Sequence, residues 1–447
     1  MRSTGILRAD RRIAASTGAR APANLGGVSW ALVDQSIVSA VNFVTIYIFA
    51  RHMETVEFGR FVLGYTALLL LTGLQGALLT QPHNVLAAAL APEAYRRFTA
   101  ALAIAQAILC AATSLLLCVA AAAVDHLYSH PAAGVLFALA AAAPPWFGQE
   151  FVRRVLYTRA ASRAVALNDL LSYGLQLAGA FALVAGWTER ATPVYGMLVL
   201  GVSSTAGVGV GLWQLRDHVQ FRGIRWRSLS SAWCEAWAFG KWLTAQNAVS
   251  WIGSQGHVWL LGVILGPGPV GAYRAATHFA HLLNPLRQAA FSYLPSRGSL
   301  AYHNGGVSRL AGWVRRAAVA LVVIVLPPCL LLIFFSGDVL RLAYGARYSG
   351  PHMALILSLA SVAQCITFCK FPFDIGLLAL RATKRIFYVN LVPVPMLLIL
   401  GTALVYLLGT VGAPLSGLLI NTALLFATWA VYRRLLGGSA GRADSAP

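Results

Sequence analysis

Acidic residues are scarce in this chain. Only 14 of 447 residues are Asp or Glu, against 34 Lys and Arg, and the four types together make up 11%. Soluble domains carry about 25%. With 58% hydrophobic residues, so little charge excludes a soluble globular fold. Cysteine is sparse as well. Cys110, Cys118, Cys234, Cys329, Cys365 and Cys369 form no C-x-x-C pair and fall mostly inside apolar runs. They read as small apolar residues, with neither a disulfide nor a metal expected. The P-loop pattern is missing, and so are a G-x-S-x-G nucleophile turn and an H-E-x-x-H pair. Nothing therefore supports ATP binding by a P-loop, serine hydrolysis or zinc proteolysis. The chain is expected to be no enzyme and to use no cofactor.

What it has in abundance is apolar runs of about 20 residues, each long enough to cross a bilayer. Twelve are expected: 28–50, 60–81, 99–124, 132–152, 165–186, 193–214, 242–265, 271–293, 313–336, 352–374, 387–408 and 412–433. The fold class is an all-α integral membrane protein, with twelve transmembrane helices in two six-helix lobes around a central cavity. The expected divisions are a basic tail 1–27, an N-lobe 28–214, an amphipathic linker 215–241, a C-lobe 242–434 and a tail 435–447. Segment 1–27 lacks the apolar core of a signal peptide, and the first span is read as retained.

The formal charge of +20 does not point to nucleic acid, because its placement is one-sided. The two tails and every second connection, with their helix edges, hold 26 Lys and Arg. The alternate connections hold six: Arg51, Arg60, Arg190, Arg274, Arg341 and Arg347. This is the positive-inside asymmetry. Both termini and segment 215–241 are expected on the cytoplasmic side, where basic loops meet anionic headgroups. The connections on the far side are all short, which leaves no domain for an acceptor-binding enzyme.

The first span carries Asp34, Gln35, Ser39, Asn42 and Thr45. At about 100° per residue, Asp34, Gln35, Asn42 and Thr45 cover roughly one third of the circumference. Such a stripe must face protein or water. It has an echo 212 residues later, where Trp242, Asn247, Ser254, His257 and Gly271 match Trp30, Gln35, Asn42, Thr45 and Gly59. Internal repeats are a common build in transporters, with the substrate between the halves.

Span 271–293 is the other informative one. Arg274, Thr277, His278, His281, Asn284 and Gln288 share one helical face. Arg287 lies roughly 60° off it. Two readings compete: buried polar residues that bond neighbouring helices, and a cavity wall that binds anions. A metal at His278 and His281 has no carboxylate or Cys nearby in sequence to complete it. Lys370 and Asp374 stand at i, i+4, as either a neutralised pair or, with Asp34, an ion or proton relay. Glu150 with Arg153 or Arg154 reads as a local ion pair at the membrane edge. Pro144-Pro145 should kink the fourth span. The far halves of the chain thus offer Arg274, His278, His281, Arg287, Asp34, Gln35, Asn42, Asn247, Ser254 and His257 as substrate contacts.

The pattern Trp30-Ala-Leu-Val-Asp34-Gln35, then Phe49-Ala50-Arg51, Glu57-Phe58-Gly59-Arg60-Phe61, Gly73-Leu74-Gln75-Gly76-Ala77 and Gln81-Pro82 resembles the first two helices of bacterial polysaccharide flippases. These are the Wzx-type members of the multidrug/oligosaccharidyl-lipid/polysaccharide exporter superfamily. Leu265-Gly266-Pro267 and Val270-Gly271-Ala272-Tyr273-Arg274 look like that family's junction of helices 7 and 8, and the likeness covers most of the chain. It implies that an undecaprenyl-pyrophosphate-linked oligosaccharide is flipped across the inner membrane, with Arg meeting the pyrophosphate bidentately. Membrane lipids, a polysaccharide polymerase and glycosyltransferases are the implied partners. Two alternatives stand beside it: an ion-coupled exporter of drugs or metabolites, and a non-transporting part of a polysaccharide assembly complex. From the charge asymmetry, a reporter fused after Arg434 is expected to be active only when it requires the cytoplasm. Maturation of a periplasm-dependent reporter at that position would overturn the topology.

Overall fold

The computed structural model describes residues 25–128, 131–186, 191–216, 219, 221 and 226–443. Most of the basic N-terminal tail, residues 217, 218, 220 and 222–225 of the expected linker, and residues 444–447 lie outside the described residues. Among the described residues there is no strand. The principal helices are α1 (Leu25–His52), α2 (Thr55–Gln75), α3 (Pro92–Tyr128), α4 (Ala132–Thr158), α5 (Ser162–Val184), α6 (Pro193–Leu215) and α7 (Trp226–Leu265). They continue as α8 (Pro267–Thr277), α9 (Asn284–Phe334), α10 (Ser336–Tyr344), α11 (Pro351–Ala379), α12 (Thr383–Leu391), α13 (Thr402–Leu408) and α14 (Gly412–Ala443).

Local chemistry sets several boundaries. Arg51 and His52 end α1, where cations suit the negative pole of the helix. Thr192 accepts from Tyr195 N–H and Pro193 takes the first helical position, which opens α6. Gly266, at φ +85°, turns the chain between α7 and α8, in a region that costs other residues more.

Among the described residues, ten helical stretches are long and apolar enough to cross a membrane, and the protein is a multi-pass membrane protein. Two features account for the difference from twelve. The stretch Lys384–Leu436 folds back at Gly409, φ +60°, and α13 packs against α14, so it supplies two passes. The expected span 271–293 is not one α-helix. A 3₁₀ turn, Phe279–Leu283, separates α8 from α9, and α9 itself breaks at Gly305 and Gly306. Residues 267–304 therefore form one interrupted pass, and the remainder of α9 the next.

The chain divides into two compact units, residues 1–248 and 249–447. Helix α7 is continuous through that division, and residues 226–241 are helical with it. In the first unit α3, α4, α6, α5 and α1 pack in succession, and in the second α9, α11 and α14 do. Pro144 and Pro145 stay inside α4. Pro144 cannot donate to the carbonyl of Ala140. Ser114 Oγ of α3 donates to that carbonyl instead, at 2.7 Å, a repair expected where no water is available.

Small residues let α6 approach α4. A Cβ on Gly201 would stand 2.8 Å from the Ala142 Cα, so only glycine fits that crossing. Gly209, on the same helix, has open space around it. Gly201→Leu is therefore expected to cost roughly 1–3 kcal/mol through overpacking, read as a lower melting temperature of the detergent-solubilised protein. Gly209→Leu should leave it unchanged. Equal losses from both would refute the close crossing.

Candidate functional site

The first unit buries a charge cluster centred on Arg153 of α4. Its guanidinium reaches Glu150 Oε1 at 2.6 Å, Asp169 Oδ2 of α5 at 2.6 Å and Asp34 Oδ2 of α1 at 3.2 Å. Tyr157 Oη also donates to Asp34, and Gln149 Nε2 donates to Asp169 at 3.3 Å. Asp34 and Asp169 are fully buried. Three carboxylates thus share one internal cation. Glu150 and Arg153 do form the local pair that their spacing suggests. The structure adds burial and two further acids, Asp34 and Asp169.

The rest of the α1 stripe divides. Gln176 of α5 donates to Asn42 Oδ1 at 3.2 Å and Thr45 Oγ1 at 3.1 Å. Gln35 stays exposed and bonds only Ser39 of its own helix, at 3.4 Å. Asn168 and Ser172 of α5 reach the α6 backbone at Gly207 and Ser203. So Asp34, Asn42 and Thr45 are engaged inside the unit, while Gln35 faces out of it. Asn247 donates to the Gly73 carbonyl at 3.0 Å.

In the second unit, Arg274, His278 and Arg287 all lie within electrostatic range of His281. A 3₁₀ turn, Phe279–Leu283, separates α8 from α9 here. His278 is buried. Asn284 accepts from Gln364 of α11 at 3.1 Å. No Asp or Glu occurs in the sequence between Glu235 and Asp338, so the two arginines of this group have no acid from their own segment. Lys370 and Asp374 pair at 2.6 Å within α11. Ser254 is exposed and bonds Trp251 of its own helix, and His257 lies against Gly417 of α14. Among the described residues no group of three or more His, Cys, Asp or Glu is arranged to hold a metal.

The sequence reading missed Asp169 and Tyr157. A signal for Asp169 was present: an acid inside an otherwise apolar span marks a polar contact in the membrane. Its partner Asp34 is 135 residues away, so no local spacing connects them.

A family model described as "Polysaccharide biosynthesis protein" matches residues 92–351. No curated protein matches the chain significantly by sequence. Among solved structures, the inward-facing form of a multidrug resistance MATE family transporter of the MOP superfamily is similar, with TM-score 0.72 and 14% identity, over 93% of this chain and 100% of that one. The lipid II flippase MurJ, in an inward closed conformation, is similar with TM-score 0.68 and 13% identity, over 90% and 87% of the two chains. The fold is the one these transporters share.

Removing Arg153 would strand two buried acids, Asp34 and Asp169, while Glu150 would keep Arg154 at 3.9 Å. Arg153→Met is expected to cost about 3–5 kcal/mol, the usual scale for an uncompensated buried charge. Adding Asp34→Asn and Asp169→Asn to it should restore most of that loss, as read by thermal unfolding in detergent. An Arg153→Met protein as stable as the wild type would contradict the cluster's role.

Proposed function

The chain belongs to the polysaccharide biosynthesis protein family, and on that premise we propose that it flips an undecaprenyl-pyrophosphate-linked oligosaccharide across the bacterial inner membrane by alternating access. The observation that carries the reading is the group of Arg274, Arg287, His278 and His281, which has no acid in its own stretch of sequence. A pyrophosphate cannot cross hydrocarbon unaided. Guanidinium forks meet its oxygens bidentately and stay charged at every physiological pH. The similarity in fold to a protein described as a lipid II flippase supports a lipid-linked cargo. Hydroxyl-rich sugar would suit uncharged polar groups such as Gln35, Asn42, Asn247 and Ser254. The protein performs no catalysis in this reading. Its termini are cytoplasmic, and a polymerase and glycosyltransferases act before or after it on the same glycan.

The buried acids of the first unit favour a coupling role. Asp34 and Asp169 share the Arg153 guanidinium. Binding and release of a proton or cation at this cluster would bias the helices that supply it, α1, α4 and α5, and so drive the cycle. The same cluster, with the MATE-like fold, supports a second reading in which the cargo is a drug or metabolite. The Lys370–Asp374 pair is a further candidate relay.

Arg274→Ala is expected to abolish export of polysaccharide while the protein still inserts. Arg274→Lys should rescue it partly, because an ammonium keeps the charge and loses the fork. One lost charge-assisted contact should cost roughly 1.5–3 kcal/mol, or about ten- to a hundredfold in affinity for the lipid-linked substrate. Wild-type export by Arg274→Ala under limiting substrate would remove this assignment and make Arg287 the next residue to test. Unimpaired binding of the lipid-linked glycan to the Arg274/Arg287 double variant would favour the drug or metabolite reading.

A further inference from the structure

The second unit has an apolar groove of about 270 Å³. It is lined by Ala318 and Val322 of α9, Cys369 and Phe373 of α11, and Leu425, Phe426 and Trp429 of α14. Phe426 is 61% exposed and Trp429 39% exposed. The groove is therefore open to whatever surrounds the helices, which in a multi-pass protein is lipid.

Each wall runs into an arginine at the same end. On α9, Arg315, Ala318 and Val322 stand at i, i+3 and i+7, so Arg315 extends the groove-lining face by one turn. On α14, Leu425, Trp429 and Arg433 stand at i, i+4 and i+8, and the Arg433 guanidinium lies 5.0 Å from the Trp429 ring centre. On α11, Phe373 leads towards Arg381, just past the helix end. That the three ends coincide follows from the packing beneath them. Leu310, Val314, Leu377, Ala379 and Tyr432 form one buried cluster, with Phe373 packed against it. Arg315, Arg381 and Arg433 are all exposed. The one acid close by in sequence, Asp374, is already paired with Lys370 at 2.6 Å. No other Asp or Glu occurs from 339 to 443.

An open apolar slot that ends in three exposed cations matches a molecule with an apolar chain and an anionic head. We propose that this groove binds an anionic phospholipid, with an acyl chain against Ala318, Val322, Phe373 and Trp429 and its phosphate among Arg315, Arg381 and Arg433. The charge selects against zwitterionic lipids, whose headgroups carry no net charge for the three arginines to attract. The site lies within one unit and does not depend on what cargo is carried.

Trp429 gives a direct readout. The full-length protein in detergent is titrated with phosphatidylglycerol carrying brominated acyl chains, and the Trp429 contribution is isolated as the fluorescence difference from Trp429→Phe. Saturable quenching of that contribution is expected. Brominated phosphatidylcholine should need a much higher concentration for the same quenching. Arg315→Gln with Arg433→Gln should weaken the phosphatidylglycerol midpoint roughly twenty- to thirtyfold. Both side chains are exposed, so these substitutions leave the fold intact. Ala318→Phe, which fills the slot, should abolish saturable quenching. Equal midpoints for the two lipids would reduce the groove to ordinary lipid contact and overturn the site. An unchanged midpoint in the double Gln variant would overturn the role of the arginines. Displacement of the brominated lipid by undecaprenyl phosphate at lower concentration than by unlabelled phosphatidylglycerol would assign the groove to a carrier lipid instead.

Discussion

One guanidinium holds the first unit together. Arg153 of α4 is the sole cation in contact with Asp34 of α1 and Asp169 of α5 in a place that water does not reach. Such a contact adds little net stability, because desolvation offsets most of the attraction. What it supplies is specificity. Any other rotation or register of α1, α4 or α5 would leave an ion in hydrocarbon, at a cost of several kcal/mol. The apolar packing of these helices alone would tolerate many arrangements, since lipid tails are as good a partner for Leu as another helix is. The polar contacts of Gln176 with Asn42 and Thr45 repeat the constraint further along α1. Small residues such as Gly201 then permit the close approach that the polar pairs demand.

The two units distribute charge differently. In the first, acids outnumber the internal arginine. In the second, cations gather in two separate settings, one around His281 and one at the mouth of the groove between α9, α11 and α14. No acid occurs in the sequence between Glu235 and Asp338, the stretch that carries Arg274, Arg287 and Arg315.

Much of the architecture was legible because membrane spans obey simple rules. Length and apolar composition located the passes, and the glycine at 409 and the broken helix at 305–306 explain why length alone undercounts them. The interruption at Phe279–Leu283 was not legible. A 3₁₀ turn of five residues leaves no pattern distinct from an α-helix. The polar stripe on α1 was visible from its spacing, but its partners were not. Asp169 and Gln176 sit more than 130 residues away, and pairing across such a distance is decided by helix packing. Arg274, His278 and His281 were readable as a group because they are neighbours in sequence.

The Asp34–Arg153 contact also has a consequence for how the chain is made. The two residues are separated by 119 positions. At about 5–20 residues per second, synthesis from one to the other takes roughly 6–24 s. During that interval α1 has emerged from the ribosome and α4 has not. An unpaired aspartate inside an inserting helix is costly, by up to roughly 2.5–3.5 kcal/mol at a helix centre. The first span must therefore spend its early life protonated, held at the translocon's aqueous wall, or shielded by an insertase. Its final seat in the bilayer is fixed only when the fourth span arrives with its arginine.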